Sequence, residues 1–278
     1  MSQRLRVPCA YQGGKQRVSE QIADALLQAA PSPDTIFYDL CCGSGAVSIE
    51  LVNRGIDPSR IVMLDLSSWG EFWSAIGSGT FQMHVFDEIL ADIPADKRLV
   101  KSHMKQLATL PANGREAEVY TVLQASSFGG KQIWHDNDRW ENAFFRDYWE
   151  PTATSVRRSP ANPMQPSPVE LRRRVAILAD GMKGVTCKRA DIATTLDGPF
   201  PQDAVVYIDP PYGGTTGYAF GFDVKDFADR FRDTNSAPLF ISEGKSVSTE
   251  AMRLNFGGAK GGISGSRVGR HQEWLSRF

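Results

Sequence analysis

The sequence predicts an α/β protein with a doubly wound, mostly parallel sheet and an inserted, mainly helical subdomain. Short apolar runs alternate with segments of helical spacing near both ends of the chain, which is the pattern of layered α/β folds. The runs over residues 61–64 and 204–208 are apolar throughout, as is typical of parallel strands buried on both faces. The long middle segment lacks this alternation, and we interpret it as an insertion.

The first part of the chain predicts the start of the sheet. Apolar residues at helical spacing indicate a helix over residues 19–30, and the prolines at 31 and 33 end it. A strand, a turn of small residues, a helix and a second strand then follow, over residues 35–40, 41–46, 47–54 and 61–64. This order is typical of a doubly wound sheet.

The middle of the chain predicts a separate unit. Residues 66 to about 120 have helical patterns, whereas residues 125–168 are rich in aromatic, basic, glycine and proline residues. We expect the aromatic rings of this segment to form a small core, because large rings are usually buried. The predicted domains are a discontinuous one of residues 1–65 and 181–278 and an inserted one of residues 66–180.

The sheet pattern resumes near residue 184. The run Ala204–Ile208 is a strongly predicted buried strand, and residues 224–232 have helical spacing. Three further strands are predicted over residues 185–188, 239–242 and 272–278, the first and the last of them at sheet edges.

Composition gives little indication of partners. The chain of 278 residues has 31 Lys and Arg against 32 Asp and Glu, a net charge of -1, so any nucleic-acid surface must come from local clusters of basic residues. The four cysteines form no C-x-x-C pair and have no histidines at zinc spacing. No apolar run is long enough to span a bilayer, and the N-terminus lacks a signal-peptide core. We therefore expect a cytoplasmic protein with no metal and no membrane partner.

The tetrapeptide Asp209-Pro210-Pro211-Tyr212 follows a predicted buried strand. Ligands of open α/β sheets bind beyond the carboxyl ends of the strands, which is where this tetrapeptide lies. Two prolines remove N–H donors, so a carboxylate and carbonyl oxygens are left to accept from an amino group, while Tyr212 offers a ring that can stack on a flipped base. The alternative is a rigid Pro-Pro turn with an aspartate cap.

A glycine turn follows the first predicted strand. Gly43 and Gly45 allow a close approach to the backbone after Asp39, and Asp65, at the end of the next strand, can hold ribose hydroxyls. The sequence lacks G-x-G-x-x-G and the phosphate-binding loop G-x-x-x-x-G-K-[ST], which favours a cofactor without phosphates. By itself the turn indicates an adenosine-containing cofactor or a structural turn without ligand.

A third segment, Tyr11-Gln12-Gly13-Gly14-Lys15, precedes the first predicted helix. It is either an ordinary helix entry or a site where N–H groups and an ammonium bind a carboxylate such as that of methionine. In the second interpretation, Tyr11 can pack on an adenine ring.

The three segments, in this order, resemble the DNA adenine methylases of the Dam type. The resemblance implies S-adenosylmethionine as cofactor and transfer of its methyl group to the exocyclic N6 of a flipped adenine in double-stranded DNA. It implies that Asp209 lies between cofactor and amine and that Tyr212 stacks on the base. The cofactor-binding residues expected in this way are Tyr11, Gly13, Gly14, Lys15, Asp39, Gly43, Gly45, Asp65, Asp191 and Asp209.

The resemblance places target recognition in the predicted insertion. Basic residues there are expected to contact DNA phosphates; the alternative is that they form a solvated face. These residues are Lys131, Arg139, Arg146, Arg157, Arg158 and the arginines at 172–174. Alternatives left open are an RNA or protein-amide methyltransferase, a DNA-binding relative without catalysis, and a nicotinamide oxidoreductase. A monomer or weak dimer is expected.

Overall fold

The computed structural model describes residues 3–211, 222–255 and 272–278. The helices in these ranges are α1 (Ser19–Ala29), α2 (Ala46–Asn53), α3 (Ser68–Ser78), α4 (Met83–Ala91), α5 (Val100–Leu107), α6 (Glu116–Ser126), α7 (Pro168–Gly181) and α8 (Val224–Thr234). The strands are β1 (Ile36–Leu40), β2 (Ile61–Asp65), β3 (Trp134–Asp136), β4 (Arg139–Glu141), β5 (Thr186–Arg189), β6 (Ala204–Ile208), β7 (Leu239–Glu243), β8 (Glu250–Arg253) and β9 (Trp274–Arg277).

Seven of the strands form one sheet in the order β5-β2-β1-β6-β7-β9-β8. Neighbours from β5 to β7 are parallel, and β9 runs antiparallel to both β7 and β8. The first five positions have the strand order of a doubly wound sheet, whose direction of winding reverses between β1 and β6. The predicted α/β class with a mostly parallel sheet is confirmed.

Apolar side chains alternate between the two faces of the sheet, and each face has its own core. Phe37 and Val205 belong to the larger core, with α1, α2 and α3. Leu40 and Val206 belong to the smaller core, with α8 and the 3-10 helix Ile192–Asp197. Because both faces are covered, residues 61–64 of β2 and the whole of β6 are apolar throughout, as the sequence predicted.

Helix α3 belongs to the layer that covers the larger face. It packs against β5 and β2 on one side and α6 on the other, and it begins where the Ser67 hydroxyl accepts from the N–H of Trp69. Helix α7 packs against α3 and α4. The division of the chain into an inserted domain of residues 66–180 and a discontinuous domain around it stays a prediction.

Two features of the far side of the sheet differ from the prediction. Residues 272–278 were expected to form an edge strand, but β9 lies between β7 and β8. The edge strand is β8, which was missed because Glu250–Arg253 is mostly exposed and has no apolar run. The other predicted edge strand, β5, does lie at the edge.

A two-stranded antiparallel hairpin, β3–β4, stands apart from the main sheet. Its turn residues, Asn137 and Asp138, both have positive φ, the combination that a tight two-residue hairpin turn requires. No helix in the described ranges is long and apolar enough to cross a membrane.

Candidate active site

The Asp-Pro-Pro segment and the glycine turn begin at neighbouring strand ends. Asp209 is the first residue after β6, and its N–H donates to the Leu40 carbonyl at the end of β1 over 3.2 Å. Because β1 and β6 flank the point where the winding reverses, both segments open into the crevice where doubly wound sheets bind ligands. Pro210 is buried and Pro211 half-buried, whereas Tyr212 lies outside the described residues.

Lys15 brings the third segment to Asp209. Its Nζ lies 2.6 Å from Oδ1 of Asp209 and 3.7 Å from Oε1 of Glu273, and it donates to the Gly13 carbonyl over 2.9 Å. Only 6% of the Lys15 side chain is exposed, so the ammonium contacts these carboxylates away from bulk water. The structure therefore brings Gly13, Lys15 and Asp209 together, whereas their expected contacts with a cofactor stay a prediction.

Opposing effects place the pKa of the Asp209 carboxyl group close to neutral pH. Burial raises its pKa to about 7, the Lys15 ammonium lowers it, and the carboxylates of Glu273 and Glu243 raise it. Glu243 is the last residue of β7, and Glu273 directly precedes β9. A group with this pKa can both accept a hydrogen bond as the anion and exchange a proton near neutral pH.

Asp65, at the end of β2, is fixed to the glycine turn. Its Oδ2 accepts from the Gly43 N–H over 2.8 Å, and its Oδ1 accepts from the N–H and hydroxyl of Ser67 over 2.9 and 2.6 Å. Burial raises the pKa of Asp65, while the Ser67 and Gly43 bonds lower it. A carboxylate has about four acceptor positions, so Asp65 can accept a further donor.

Two aromatic rings lie against the glycines of this turn. A Cβ on Gly43 would lie 2.9 Å from the Tyr11 ring, and one on Gly45 would lie 2.4 Å from the Trp73 ring. Both glycines have positive φ, and the Trp73 indole N–H donates to the Gly43 carbonyl over 2.9 Å. Glycine is therefore required here for ring packing as well as for the backbone conformation.

Asp39 and Gly14 shape the backbone around the site. The Asp39 carboxylate accepts from the hydroxyl and N–H of Ser48 in α2 over 2.6 and 3.3 Å, so it anchors the start of that helix. Burial raises the pKa of Asp39 to about 7, against the effect of the Ser48 bonds. Gly14 donates its N–H to the Tyr11 carbonyl over 3.1 Å and closes the turn before α1.

Asp191 lies at the same edge of the sheet, beyond β5. Its side chain is exposed and accepts from the Ala193 N–H over 2.8 Å, which caps the 3-10 helix Ile192–Asp197. Asp191 therefore follows the strand that neighbours β2, which ends in Asp65. Among the described residues, no contact joins Asp191 to Asp209.

Arg189, the last residue of β5, connects the sheet edge with the β3–β4 hairpin. Its guanidinium donates to the Leu66 carbonyl, to Oε1 of Glu116 over 2.8 Å, and to the His135 carbonyl. The Ser68 hydroxyl donates to the same Glu116 oxygen and accepts from the His135 N–H over 2.9 Å. The N–H and the carbonyl of His135 in β3 are thus both held, by Ser68 at the start of α3 and by Arg189 at the end of β5.

The predicted phosphate-binding residues lie on the surface, in different environments. Arg146 is half-buried, and burial together with the charge of Arg157 lowers its pKa; within the described ranges it has no ion pair. The exposed members are Lys131, Arg139, Arg157 and Arg158. By contrast, the arginines at 172–174 are engaged in ion pairs with Asp87 and Glu170.

The aromatic residues of the middle segment are only partly a core. Trp140 and Phe145 are buried as expected, but Phe128 is 58%, Phe144 66% and Trp149 39% exposed, so the expectation is wrong for these three. Phe128 and Phe144 are the two that lie nearest the candidate site. They are neighbours, since the Phe128 N–H donates to the Phe144 carbonyl over 2.7 Å. The loop that carries Phe128 also touches the site, because the Gly130 carbonyl accepts from the N–H of Gln12 over 2.7 Å.

Sequence reasoning missed four residues that shape the site, namely Trp73, Arg189, Glu243 and Glu273. For Glu243 a signal was available, because it ends an apolar strand just as Asp65 does. The other three come from segments without a motif, and only the packing of the chain brings them to this edge.

Among the described residues, no three His, Cys, Asp or Glu side chains are grouped so as to hold a metal ion. Compared with known proteins, the chain matches no family model and no curated protein.

Proposed function

We propose that this protein is an S-adenosylmethionine-dependent methyltransferase that acts on the N6 amine of adenine in DNA. The observation that carries the proposal is the position of Asp209, which directly follows β6 and is bonded to the end of β1. This position puts a carboxylate beside the glycine turn at the reversal point of the sheet, where a cofactor and a second substrate can meet.

The residues around the turn fit S-adenosylmethionine. Asp65 can accept from ribose hydroxyls, because its bonds to Gly43 and Ser67 leave an acceptor position. Lys15, held at the Gly13–Gly14 turn, is the candidate for the methionine carboxylate, and Tyr11 and Asp191 are the candidates for its adenine side. When bound, S-adenosylmethionine supplies an electrophilic methyl group on a positively charged sulfur.

Asp209 is the residue that acts on the substrate. Its carboxylate accepts a hydrogen bond from the amine. This bond directs the nitrogen lone pair towards the electrophilic methyl group at near-attack distance. The negative charge also stabilises the positive charge that develops on nitrogen, and the nitrogen then releases a proton to water. The Pro210 carbonyl is the expected second acceptor, because the following proline has no N–H to compete.

The surface beyond the site supports a nucleic acid as the substrate. Arg146 and Arg157 are close enough for the charge of one to lower the pKa of the other, and a phosphate relieves such repulsion. Exposed Phe128 and Phe144 lie on the loops that lead from these arginines to the Gly130–Gln12 contact. Basic and aromatic groups side by side are typical of surfaces that bind phosphates and bases.

The test is incubation with S-adenosylmethionine and unmethylated DNA, followed by nucleoside analysis by mass spectrometry. Asp209→Asn keeps the shape of the side chain without its charge, and Asp229→Asn, on the exposed side of α8, is the matched control. We expect N6-methyladenine from the wild type and from Asp229→Asn but not from Asp209→Asn. Cofactor binding without any methylated DNA base would reject the DNA-adenine assignment and favour RNA or protein substrates.

A further inference from the structure

The β3–β4 hairpin is small and depends on contacts with the rest of the chain. Each of its strands has three residues, and a two-stranded hairpin by itself is only marginally stable in water. Its inner side adds a cost, because Nε2 of His135 and the indole N–H of Trp140 are buried without a hydrogen-bond partner among the residues that the structure describes. The position of the hairpin is therefore set by the groups that anchor it.

Two anchors hold the backbone of His135. The Ser68 hydroxyl accepts from its N–H over 2.9 Å, and the Arg189 guanidinium donates to its carbonyl. Glu116 joins the two anchors, because its Oε1 accepts from the Ser68 hydroxyl over 2.6 Å and from Arg189 over 2.8 Å. Its Oε2 lies 3.3 Å from Nδ1 of His135. One carboxylate thus holds both anchors and the imidazole in a single arrangement.

The Arg189 anchor is bonded to the segment that carries Asp65. The two residues are partners in the pairing of β2 with β5, and the Arg189 Nε donates to the Leu66 carbonyl over 3.2 Å. Packing leaves no free space between them, since a Cβ on Gly70 would lie 2.5 Å from the Asp65 carbonyl oxygen and 2.7 Å from the Arg189 Cα. A displacement of the Asp65 segment therefore displaces Arg189, and the hairpin with it.

The outer side of the hairpin carries Arg139, in β4. Its side chain is exposed, and within the described ranges it forms no ion pair with a carboxylate, so its guanidinium can accept a phosphate as partner. A phosphate on Arg139 favours the anchored position of the hairpin from outside, and a ligand on Asp65 favours it from inside. Two ligands that favour the same arrangement strengthen each other's binding by the same factor.

We propose that Arg189 is a positioning residue that couples cofactor binding at Asp65 to the placement of the β3–β4 hairpin on the substrate DNA. The inference rests on the proposed function. Ribose hydroxyls on Asp65 hold the end of β2, and with it Arg189, in the arrangement that anchors His135. The anchored hairpin then presents Arg139 to the phosphates, and bound DNA in turn favours the arrangement that binds the cofactor.

The experiment measures the dissociation constant of duplex DNA with and without saturating S-adenosylhomocysteine, which binds without methyl transfer. The test variant is Arg189→Lys, because a single ammonium keeps the charge but cannot span the two carbonyls as the guanidinium fork does. Arg230→Lys, exposed on α8 at the other face of the sheet, is the matched control. We expect the ligand to tighten DNA binding about fivefold or more in the wild type and the control, but less than about twofold in Arg189→Lys.

Hydrogen exchange of the hairpin amides, measured without DNA, gives a readout that a merely structural role would not move. S-adenosylhomocysteine should slow this exchange in the wild type, whereas in folded Arg189→Lys the exchange should be fast with or without the ligand. Thermal unfolding verifies that each variant is folded. If Arg189→Lys does not fold, Ser68→Ala removes the other anchor of His135 and should lower the coupling in the same way.

The outcomes separate this inference from the proposed function. Unchanged coupling in folded Arg189→Lys overturns the inference alone, and so does a wild type that makes methyladenine but shows no coupling. A wild type that neither binds S-adenosylhomocysteine nor makes methyladenine overturns the proposed function, and the inference with it. Lost coupling together with a hairpin that no longer responds to the ligand supports both.

Discussion

The ammonium of Lys15 and the carboxylate of Asp209 form a buried ion pair of 2.6 Å, although the two residues come from distant parts of the chain. Lys15 precedes α1, and Asp209 follows β6. The pair therefore joins the glycine segment near the N-terminus to the candidate catalytic segment, and it lowers the pKa of Asp209 against the larger effect of burial.

The first prediction concerns the pH dependence of methyl transfer. Burial raises the pKa of Asp209 to about 7, and the anion is the form that accepts from the amine. The rate should therefore be low well below pH 7, rise through about pH 7 and level off above it. Single-turnover rates in a pH series measure this directly. A rate that is independent of pH across this range would exclude Asp209 ionisation as the controlling step.

A second prediction concerns stability and Asp39. Its pKa is raised to about 7 by burial, so its contribution to folding is complete at low pH and is lost as pH rises through about 7. Asp39→Asn cannot ionise, and its stability relative to the wild type should therefore improve as pH rises from about 5 to about 7. Urea unfolding at both pH values, with exposed Asp229→Asn as control, tests the sign; a difference that shrinks with pH would contradict it.

The third prediction separates ring packing from backbone strain at the glycine turn. Gly45→Ala places a Cβ 2.4 Å from Trp73 at positive φ, and we expect a loss of about 2–5 kcal/mol in unfolding free energy. Gly55 also has positive φ but has no atom within 4 Å of a built Cβ, so Gly55→Ala should lose only about 1–2 kcal/mol. Equal losses in chemical denaturation would show that Trp73 does not pack as described.

The fourth prediction contrasts a half-buried ion pair with an exposed one. Arg189→Met removes the guanidinium that donates to Glu116 and to the His135 carbonyl, and we expect a loss of about 1–3 kcal/mol and faster proteolysis in the β3–β4 hairpin. Arg172→Met removes an ion pair with Asp87 whose side chains are 51% and 42% exposed, and should cost less than about 1 kcal/mol. Unchanged cleavage of the hairpin in Arg189→Met would argue against its anchoring role.

A fifth prediction addresses the proposed DNA-binding surface. If Arg146 binds a phosphate, Arg146→Ala should weaken DNA binding on all sequences and reduce the slope of log K against log salt by about 1. Arg173→Ala is the control, because Arg173 is engaged with Glu170. Fluorescence anisotropy over a salt series gives both slopes. The assignment fails if the two variants have the same slope.

Much of the fold was predictable, because its central strands are short apolar runs that end in acidic residues. The strand Ala204–Ile208 was predicted with its observed bounds, and β1 and β2 within a residue. What failed depends on contacts between distant segments. The place of β9 between β7 and β8 follows from pairing that no local pattern contains, and β8 is too polar to indicate a strand.

The candidate site shows the same limit. Asp65 and Asp209 were found because each follows an apolar strand, and Lys15 because it ends a glycine turn. Glu273 has no such signal, since only the pairing of β9 brings it next to Lys15. Phe128 and Phe144 were expected in a core because of their size, but their exposure is set by the loops that carry them.

The pairing of the last strands links motion at the sheet edge to the chemistry of the site. Within the described part of the sheet, β8 is joined only through β9, so a fluctuation that releases β9 releases β8 as well. Glu273 adjoins β9 and departs with it, so the 3.7 Å approach of its carboxylate to the Lys15 ammonium is lost. Amide protons of β8 and β9 should therefore exchange with solvent as one cooperative unit.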